Sequence, residues 1–180
     1  MVTPAIPPGK RAIQAVRFTL LSNDQGQAPD IDIEENLRGT YQGSNTWFEA
    51  AIIRDDREEV PQYLFQVRQP RQPIDAFNRD AFTREQAREI KNSLKGTERW
   101  QLQYNVQAVC TPKLYQIVWM KGEVINDEVE AVSRSKGAGT GRGFVSTLRP
   151  GDRVALVLRA QHQGWANCIW GAEIEILHSV

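Results

Sequence analysis

Four residues in two stretches of the chain are the best candidates for contacting a ligand. Trp165 and Asn167 lie in a Gly-Trp-Ala-Asn stretch between two strand-like segments, with His162 just before it. A tryptophan beside a glycine can present its flat apolar face to a sugar ring, and an asparagine supplies directional hydrogen bonds. Arg142, in the Gly-rich run 137–143, can add positive charge. These four residues predict a carbohydrate-binding site; the alternative is that Trp165 closes one end of the fold and Asn167 holds a turn.

Catalytic chemistry has weaker support in the sequence. The chain contains no Gly-x-Ser-x-Gly motif that would present a nucleophilic serine. His162 can act as an acid–base group only if the fold brings it next to a carboxylate such as Asp152 or Glu49. We therefore predict no catalytic residue, and a small enzyme of the hydrolase or cyclase type is the alternative.

Metal and cofactor sites lack the residue patterns that they need. The two cysteines and two histidines form no Cys-x-x-Cys or His-x-x-x-His pair, and the run 137–143 leads into a strand-like segment rather than the helix of a phosphate-binding loop. We predict no metal, no cofactor and a mobile loop at this run. Cys110 and Cys168 are expected to be reduced and mostly buried, in a cytoplasmic protein; a disulfide between them is the alternative.

The composition limits the class of protein. A chain of 180 residues, 41% of them hydrophobic, is long enough for one domain with a sizeable core. Lys plus Arg and Asp plus Glu both total 22, so the zero net charge gives no global attraction to nucleic acid or to anionic membranes. No apolar run approaches the roughly 18 residues of a membrane span. We predict a Pro-rich tail or linker over 1–11 and one domain over 12–180, which binds neither nucleic acid nor membrane.

Alternation of apolar and polar residues dominates the chain and predicts β-strands. Trp100, Leu102 and Tyr104 alternate with polar residues, as in an antiparallel sheet with one packed face. Trp47, Trp100 and Trp119 are expected in the core, whereas Trp170 is left open. Eight segments follow the pattern: 15–20, 46–54, 62–68, 99–108, 114–120, 143–148, 153–161 and 171–177. They predict an all-β protein, an antiparallel β-sandwich of the jelly-roll type.

Two local signals interrupt or connect these strands. A capping-box pattern followed by apolar residues at helical spacing predicts one short helical insertion over 84–95. An Arg-Pro-Gly-Asp sequence at 149–152 is typical of a type II turn, since proline fixes φ at its second position and glycine allows positive φ at its third. This turn predicts a hairpin between 143–148 and 153–161.

Several of these motifs occur together in a known domain. The Pro-Gly-Asp turn at 150–152, the Gly-Trp-Ala-Asn corner at 164–167 and the strand patterns around them resemble a β-rich domain of uncharacterised fungal proteins. The likeness covers most of 12–177; it implies an intracellular fungal protein and transfers no catalytic residue. In layout the chain is also similar to galactose-binding-like and F-box-associated β-sandwiches, which mostly bind glycans or protein partners.

The sequence therefore predicts a non-catalytic recognition module, lectin-like, that binds carbohydrate through loops at one end of a sandwich. The first alternative is a protein–protein interaction domain. Its contact surface would be the long polar segments 23–43 and 121–142, and an edge strand could join two copies into a homodimer. The second alternative is the small enzyme that uses His162 and a carboxylate.

Overall fold

Two antiparallel sheets form the architecture of this chain. The computed structural model describes residues 1–9, 12–26, 35–54, 88–89, 99–161 and 165–179. Within these ranges it contains a short 3₁₀ helix at Glu35–Leu37 and the following strands and helices: β1 (Ile13–Asp24), β2 (Thr46–Arg54), β3 (Arg88–Glu89), β4 (Trp100–Tyr104), β5 (Lys113–Met120), α1 (Asp127–Ser135), α2 (Phe144–Thr147), β6 (Arg153–Ala160) and β7 (Asn167–His178).

Each sheet is built around one central strand. β1 lies between β5 and β7 in the first sheet, and both neighbours run antiparallel to it. β2 is the centre of the second sheet. β6 pairs with one edge of β2, and β4 and the short β3 pair with successive parts of its opposite edge. The predicted all-β antiparallel sandwich is confirmed, whereas a jelly-roll order of its strands stays a prediction.

The core lies between the two sheets and is made by the alternation that the sequence shows. Val16, Phe18 and Leu20 point inward from β1 and are fully buried, and alternate residues of the neighbouring strands meet them. Phe144 of α2 is also fully buried, with its ring centroid 4.9 Å from that of Trp119 and 5.0 Å from that of Trp100. Edge-to-face aromatic packing of this kind adds to the hydrophobic stabilisation of the core.

Both outer edges of the β2 sheet are covered by other parts of the chain. Val2 bridges Ala155 on β6, and Ile6 is 3% exposed in the core. Residues 1–6 therefore belong to the sandwich rather than to the predicted tail. Along β4, the amide of Gly139 donates to the carbonyl of Leu102 (2.9 Å). The Gly-rich run 137–143, which we call the strap, therefore packs against β4 and is not the predicted mobile loop.

The segment 143–148 is a helix and not the predicted strand. Gly143, with φ of +78°, begins α2, and the amide of Thr147 donates to its carbonyl oxygen (3.1 Å). The turn at 149–152 is confirmed by a bond from the amide of Asp152 to the carbonyl of Arg149 (3.1 Å) and by φ of +88° at Gly151. Because α2 precedes it, this turn joins a helix to β6, and the predicted hairpin is wrong.

The helices in the described part of the chain lie outside the segment predicted to be helical. Within 84–95, Arg88 and Glu89 form β3, so the helical insertion is wrong at these two residues, and the others of that segment lie outside the described residues. The predicted strand 62–68 lies outside them as well. α1 occurs inside the predicted loop 121–142, where Asn126 Oδ1 accepts a bond from the amide of Val129 (2.9 Å). An asparagine at this position provides a hydrogen-bond acceptor for a backbone N–H in the first turn of the helix.

Candidate functional site

The corner that the sequence assigns to a ligand is packed into one end of the sandwich. Trp165 is only 8% exposed. The side-chain amide of Asn167 donates to the carbonyl oxygens of Trp47 (2.8 Å) and Arg159 (3.4 Å). Its Oδ1 accepts a bond from Asn105 Nδ2 (2.9 Å). These bonds occupy both polar atoms of the amide within the protein, so Asn167 ties β7 to β2 and β6.

Asn105 is the centre of the polar network at this end. It is fully buried, accepts a bond at Oδ1 from Ser22 Oγ (2.8 Å), and donates to Thr46 Oγ1 (3.0 Å) as well as to Asn167. Its partners belong to β1, β2 and β7. A buried network whose members bond to one another holds the sheets in one relative arrangement.

Asp24 lies in the same region, at the end of β1. It is fully buried, and its carboxylate accepts bonds from the amides of Gln25 (2.7 Å) and Ala108 (3.2 Å). Ala108 has φ of 56°, in the left-handed region that residues other than glycine seldom adopt. Burial raises the pKa of Asp24, against the opposite effect of the two backbone bonds. Burial also raises the pKa of the Cys168 thiol, and the charge of Asp24 adds to that rise.

We expect Asp24 to make the protein less stable as the pH rises above 3.8, its usual pKa. Between that value and the raised pKa of the folded state, the folded protein binds more protons than the unfolded chain, so the free energy of unfolding falls with rising pH. Asp24→Asn removes this contribution. Urea unfolding of both proteins over a pH series should show the stability of the native protein declining relative to the variant until the folded-state pKa is passed. Parallel pH curves would contradict the expectation.

Of the other two predicted site residues, the structure describes Arg142, and its partners lie away from this corner. Arg142 Nη2 donates to the carbonyl of Ile125 (2.6 Å) and pairs with Glu130 Oε1 (3.0 Å). Its partners thus lie on α1 and just before it, whereas Asn167 bonds to β2, β6 and Asn105. His162 lies outside the described residues. Of the three predicted residues that the structure describes, Trp165 and Asn167 lie in one corner and Arg142 lies elsewhere.

The two carboxylates considered for acid–base chemistry both bind arginines. Asp152 is 1% exposed and accepts two bonds from Arg54, each 2.7 Å long. A carboxylate oxygen of Glu49 lies 3.5 Å from nitrogen atoms of Arg99 and Arg159. Both carboxylates therefore have partners that connect neighbouring parts of the fold.

The cysteines and the metal-binding side chains give no further site. Cys110 and Cys168 are free thiols, but Cys110 is exposed and Cys168 half-buried, so the expected burial is wrong for Cys110. In the part of the chain that the structure describes, no three His, Cys, Asp or Glu side chains are placed to hold a metal ion. No helix there is both long and apolar enough to cross a membrane.

A second candidate site is the solvent-facing side of the β5–β1–β7 sheet, which we call the outer face. The pairing register lays four rows of residues across it: Leu114–Leu21–Gly171, Gln116–Thr19–Glu173, Val118–Arg17–Glu175 and Met120–Ala15–Leu177. Four large apolar side chains in these rows are between 38% and 59% exposed: Leu21, Leu114, Val118 and Met120. The outer face thus combines exposed apolar groups with polar and charged ones.

Trp170 stands at one end of this face, where the pairing of β1 with β7 is irregular. Leu21 pairs with Gly171 and Ser22 pairs with Ile169, which leaves Trp170 without a partner on β1. A bulge of this kind changes the direction of a side chain and is common beside functional sites. Ile169 packs against the core, whereas Trp170 is 57% exposed.

One hydrogen bond fixes the position of this indole. Trp170 Nε1 donates to Asn23 Oδ1 (2.6 Å), and Asn23 is itself 5% exposed. Beside the indole, a Cβ added to Gly171 would meet only Leu21 Cβ, at 3.9 Å. The ring therefore keeps its polar N–H bonded inside the protein and shows an apolar surface next to a position without a side chain.

The surroundings of Trp170 suit a ligand with apolar and polar faces. Asn23 also lines a cavity of about 330 Å³ together with Lys113 and Thr111. On the outer face, Thr19 and Glu173 lie in the row next to Leu21 and Gly171 and offer hydroxyl and carboxylate groups. Sequence reasoning left Trp170 open; the available signal was Gly171 inside a strand pattern, since such a glycine often marks a bulge.

Comparisons of this chain with protein-family models, with curated proteins and with solved structures give no match.

Proposed function

We propose that this protein is a non-catalytic recognition module that binds carbohydrate on its outer face, with Trp170 as the platform for a sugar ring. The observation that carries the proposal is the 57% exposed indole, held at a bulge by its bond to Asn23. An aromatic ring fixed in this way stacks on the C–H groups of a sugar without losing side-chain freedom on binding.

The charge and polarity of the chain support a neutral, polar ligand. The net charge is zero, and the row beside Trp170 offers Thr19, Gln116 and Glu173 as hydrogen-bonding groups. A sugar ring presents hydroxyl groups around an apolar face, and such a ligand suits a site with a few directional polar groups beside an apolar surface.

The corner with Trp165 and Asn167 is the alternative location for the same ligand class. The exposed fractions favour Trp170, because Trp165 is 8% exposed and the Asn167 amide already bonds to the protein. That alternative also includes His162, which lies outside the described residues. The two locations predict different effects of substitutions.

A glycan array probed with the native protein and with Trp170→Ala tests the proposal. We expect specific glycan signals from the native protein and at least a roughly tenfold loss of affinity in Trp170→Ala, since loss of the aromatic surface removes the stacking contact. Gly171→Leu should weaken binding similarly, because its side chain would occupy the open position beside the indole. Trp165→Ala, measured at a temperature where it is folded, should keep the signals.

Two outcomes would contradict this assignment. Signals that survive Trp170→Ala and disappear in folded Trp165→Ala would move the site to the corner. A blank array for the native protein, whose folding is verified by circular dichroism, would reject a carbohydrate ligand.

A protein partner is the second candidate function, and the exposed aliphatic side chains of β5 favour it. Leu114 and Met120 are each 59% exposed, and Val118 is 48% exposed. Exposed apolar groups that lie together on one surface are typical of protein-binding sites. The enzyme alternative has less support, because Asp152 and Glu49 already bind arginines.

The proposal includes a reducing compartment, the cytoplasm of a fungal cell. The free thiols of Cys110 and Cys168 support it, since unpaired cysteines are ordinary in a reducing environment.

A further inference from the structure

We propose that the outer edge of β5 binds an extended peptide, which adds to the sheet as an antiparallel strand. The peptide is apolar at alternate positions and carries an acidic group near its C-terminal end. This site is distinct from the Trp170 platform and does not rest on carbohydrate binding.

The pairing with β1 shows which backbone groups of β5 point outward. The amide of Lys121 donates to the carbonyl of Gln14 (2.8 Å) in the same register as the strand pair. Hydrogen-bonded positions recur at every second residue of an antiparallel pair. The residues that bond to β1 are therefore Tyr115, Ile117 and Trp119, and those that turn their N–H and C=O groups outward are Leu114, Gln116 and Val118.

These outward groups have no hydrogen-bond partner among the described residues. The β2 sheet differs, because residues 1–3 cover the edge of β6 and Gly137–Gly139 cover the edge of β4. In both cases the cover is an extended segment of this chain that bonds through its backbone. An uncovered strand edge of this length is a template for a further strand.

A groove of about 350 Å³ runs along this edge. β5 forms one wall of the groove. The opposite wall contains Ile125, the α1 residues Val129 and Ser133, and the strap residues Ala138 and Gly139. No residue of α1 is buried, so the face that it turns to the groove is not packed against the sheet. The side chains of a bound strand would point alternately to the two faces of the sheet. One alternate set would cover the aliphatic groups of α1, and the other set would extend the outer face.

The two ends of the groove carry opposite charges. Lys113 and Lys136 line it near Tyr41, and Lys113 Nζ donates to the Tyr41 hydroxyl (2.6 Å). Glu123 lines the groove beyond the C-terminal end of β5. An antiparallel peptide would place its C-terminal end at the lysines and its N-terminal end at Glu123. The charges therefore match a peptide that is basic first and acidic last.

The shape of the groove favours a single strand over a second copy of this chain. β5 of a second copy would bring its own α1 and strap to the same edge, where α1 and the strap of the first copy already form the opposite wall. A peptide has no such layer behind it. The experiment must therefore distinguish peptide binding at this edge from self-association of the protein through β5.

The test uses the full chain and a fluorescein-labelled peptide, Arg-Val-Thr-Val-Thr-Val-Thr-Glu, blocked at its C-terminal end as an amide. We expect fluorescence anisotropy to show saturable binding. N-methylation of either all valine or all threonine amides should weaken it more than tenfold, and N-methylation of the other set should leave it nearly unchanged, because only one edge of the peptide bonds to β5. A peptide with arginine and glutamate exchanged should bind more weakly, and Lys136→Glu should reduce that preference.

Two protein variants distinguish the contribution of the Gln116 backbone N–H to peptide binding from that of its side chain. Gln116→Pro removes an outward N–H while leaving the bonds from β5 to β1, and edge strands tolerate proline at such a position; it should abolish binding. Gln116→Ala keeps the backbone N–H and should bind the peptide as tightly as the native protein does. The proposal is overturned if no peptide binds, if both N-methylated peptides bind equally, or if sedimentation shows a dimer that Gln116→Pro dissociates.

Discussion

Gly141→Ala will destabilise the protein much more than Gly122→Ala, although both glycines have positive φ, +63° and +73°. A Cβ at residue 141 would lie 2.0 Å from Trp119 Cδ2, whereas at residue 122 it would meet nothing within 4 Å. The left-handed backbone costs a non-glycine residue about 1–2 kcal/mol at either position. Overpacking adds about 1–3 kcal/mol or more at residue 141 alone. Urea unfolding should therefore show a difference of at least about 1 kcal/mol between the variants.

A third variant separates the steric clash from the backbone conformation. Gly139 does not have a positive φ, yet a Cβ there would lie 1.9 Å from the carbonyl oxygen of Gln101. Gly139→Ala should therefore destabilise the protein through the clash alone, while Gly122→Ala measures the φ effect alone. Equal stabilities of all three variants would show that the strap does not pack on β4 and Trp119 in solution.

The strap illustrates what glycines in a sequence do and do not reveal. Their number predicts unusual backbone, and the structure has positive φ at Gly137, Gly141 and Gly143. Their number does not predict mobility, because these glycines let the backbone of the strap lie close to neighbouring residues. Trp119 Nε1, for example, donates to the carbonyl of Gly139 (2.8 Å). The neighbours that require a missing side chain come from distant parts of the chain, so the run alone cannot show them.

Strands with one packed face were predictable because their signal is local. In β1, β5 and β6, apolar residues alternate along the strand, and the structure buries most of them; in β6, Leu158 is half-buried and Ala160 exposed. The pattern fails in part over the predicted strand 99–108, where Gln103 and Asn105 are 3% and 0% exposed on the side assigned to water. Gln103 Nε2 donates to the carbonyl of Lys136 (2.9 Å), and Asn105 bonds to residues of β1, β2 and β7. Segments that are distant in sequence therefore bury this side, which alternation cannot reveal.

The helix α2 shows how tertiary packing overrides a local preference. Its residues, Phe-Val-Ser-Thr, favour strands by composition. In the structure this segment places Phe144 among Phe18, Trp100 and Trp119, which come from three different strands. The benefit of filling that space with an aromatic ring depends on the assembled sheets. No window of sequence around residue 144 contains that information.

The sequence and the structure favour different tryptophans for the proposed site. The sequence argument rests on an aromatic ring beside glycine, and both Trp165 and Trp170 have this feature. Which of them faces solvent depends on the bulge between β1 and β7, where Trp170 has no partner. A bulge is a property of the pairing of two strands, so its position follows from their register and not from either sequence alone.

Arg54→Ala will be strongly destabilising, by about 3–5 kcal/mol, because it removes the guanidinium from a buried carboxylate. Asp152 is 1% exposed and accepts two bonds of 2.7 Å from Arg54, and it also accepts the amide of Arg149 (2.9 Å). Arg54 Nη2 further donates to the carbonyl of Thr147 (3.3 Å). The pair therefore fixes the end of β2 to the turn that joins α2 to β6.

The exposed pair Arg17–Glu175 is the matched control for this prediction. Its atoms are 3.1 Å apart, but the two side chains are 40% and 37% exposed, and an exposed ion pair contributes about 0–1 kcal/mol. Urea unfolding should thus show a small effect of Arg17→Ala beside a large one of Arg54→Ala. Adding Asp152→Asn to Arg54→Ala should recover part of the loss, because a neutral amide costs less to bury than a carboxylate without its guanidinium. If the double variant is less stable than Arg54→Ala, the buried charge is not the cause, and the loss comes from the bonds that Asp152 makes to the turn.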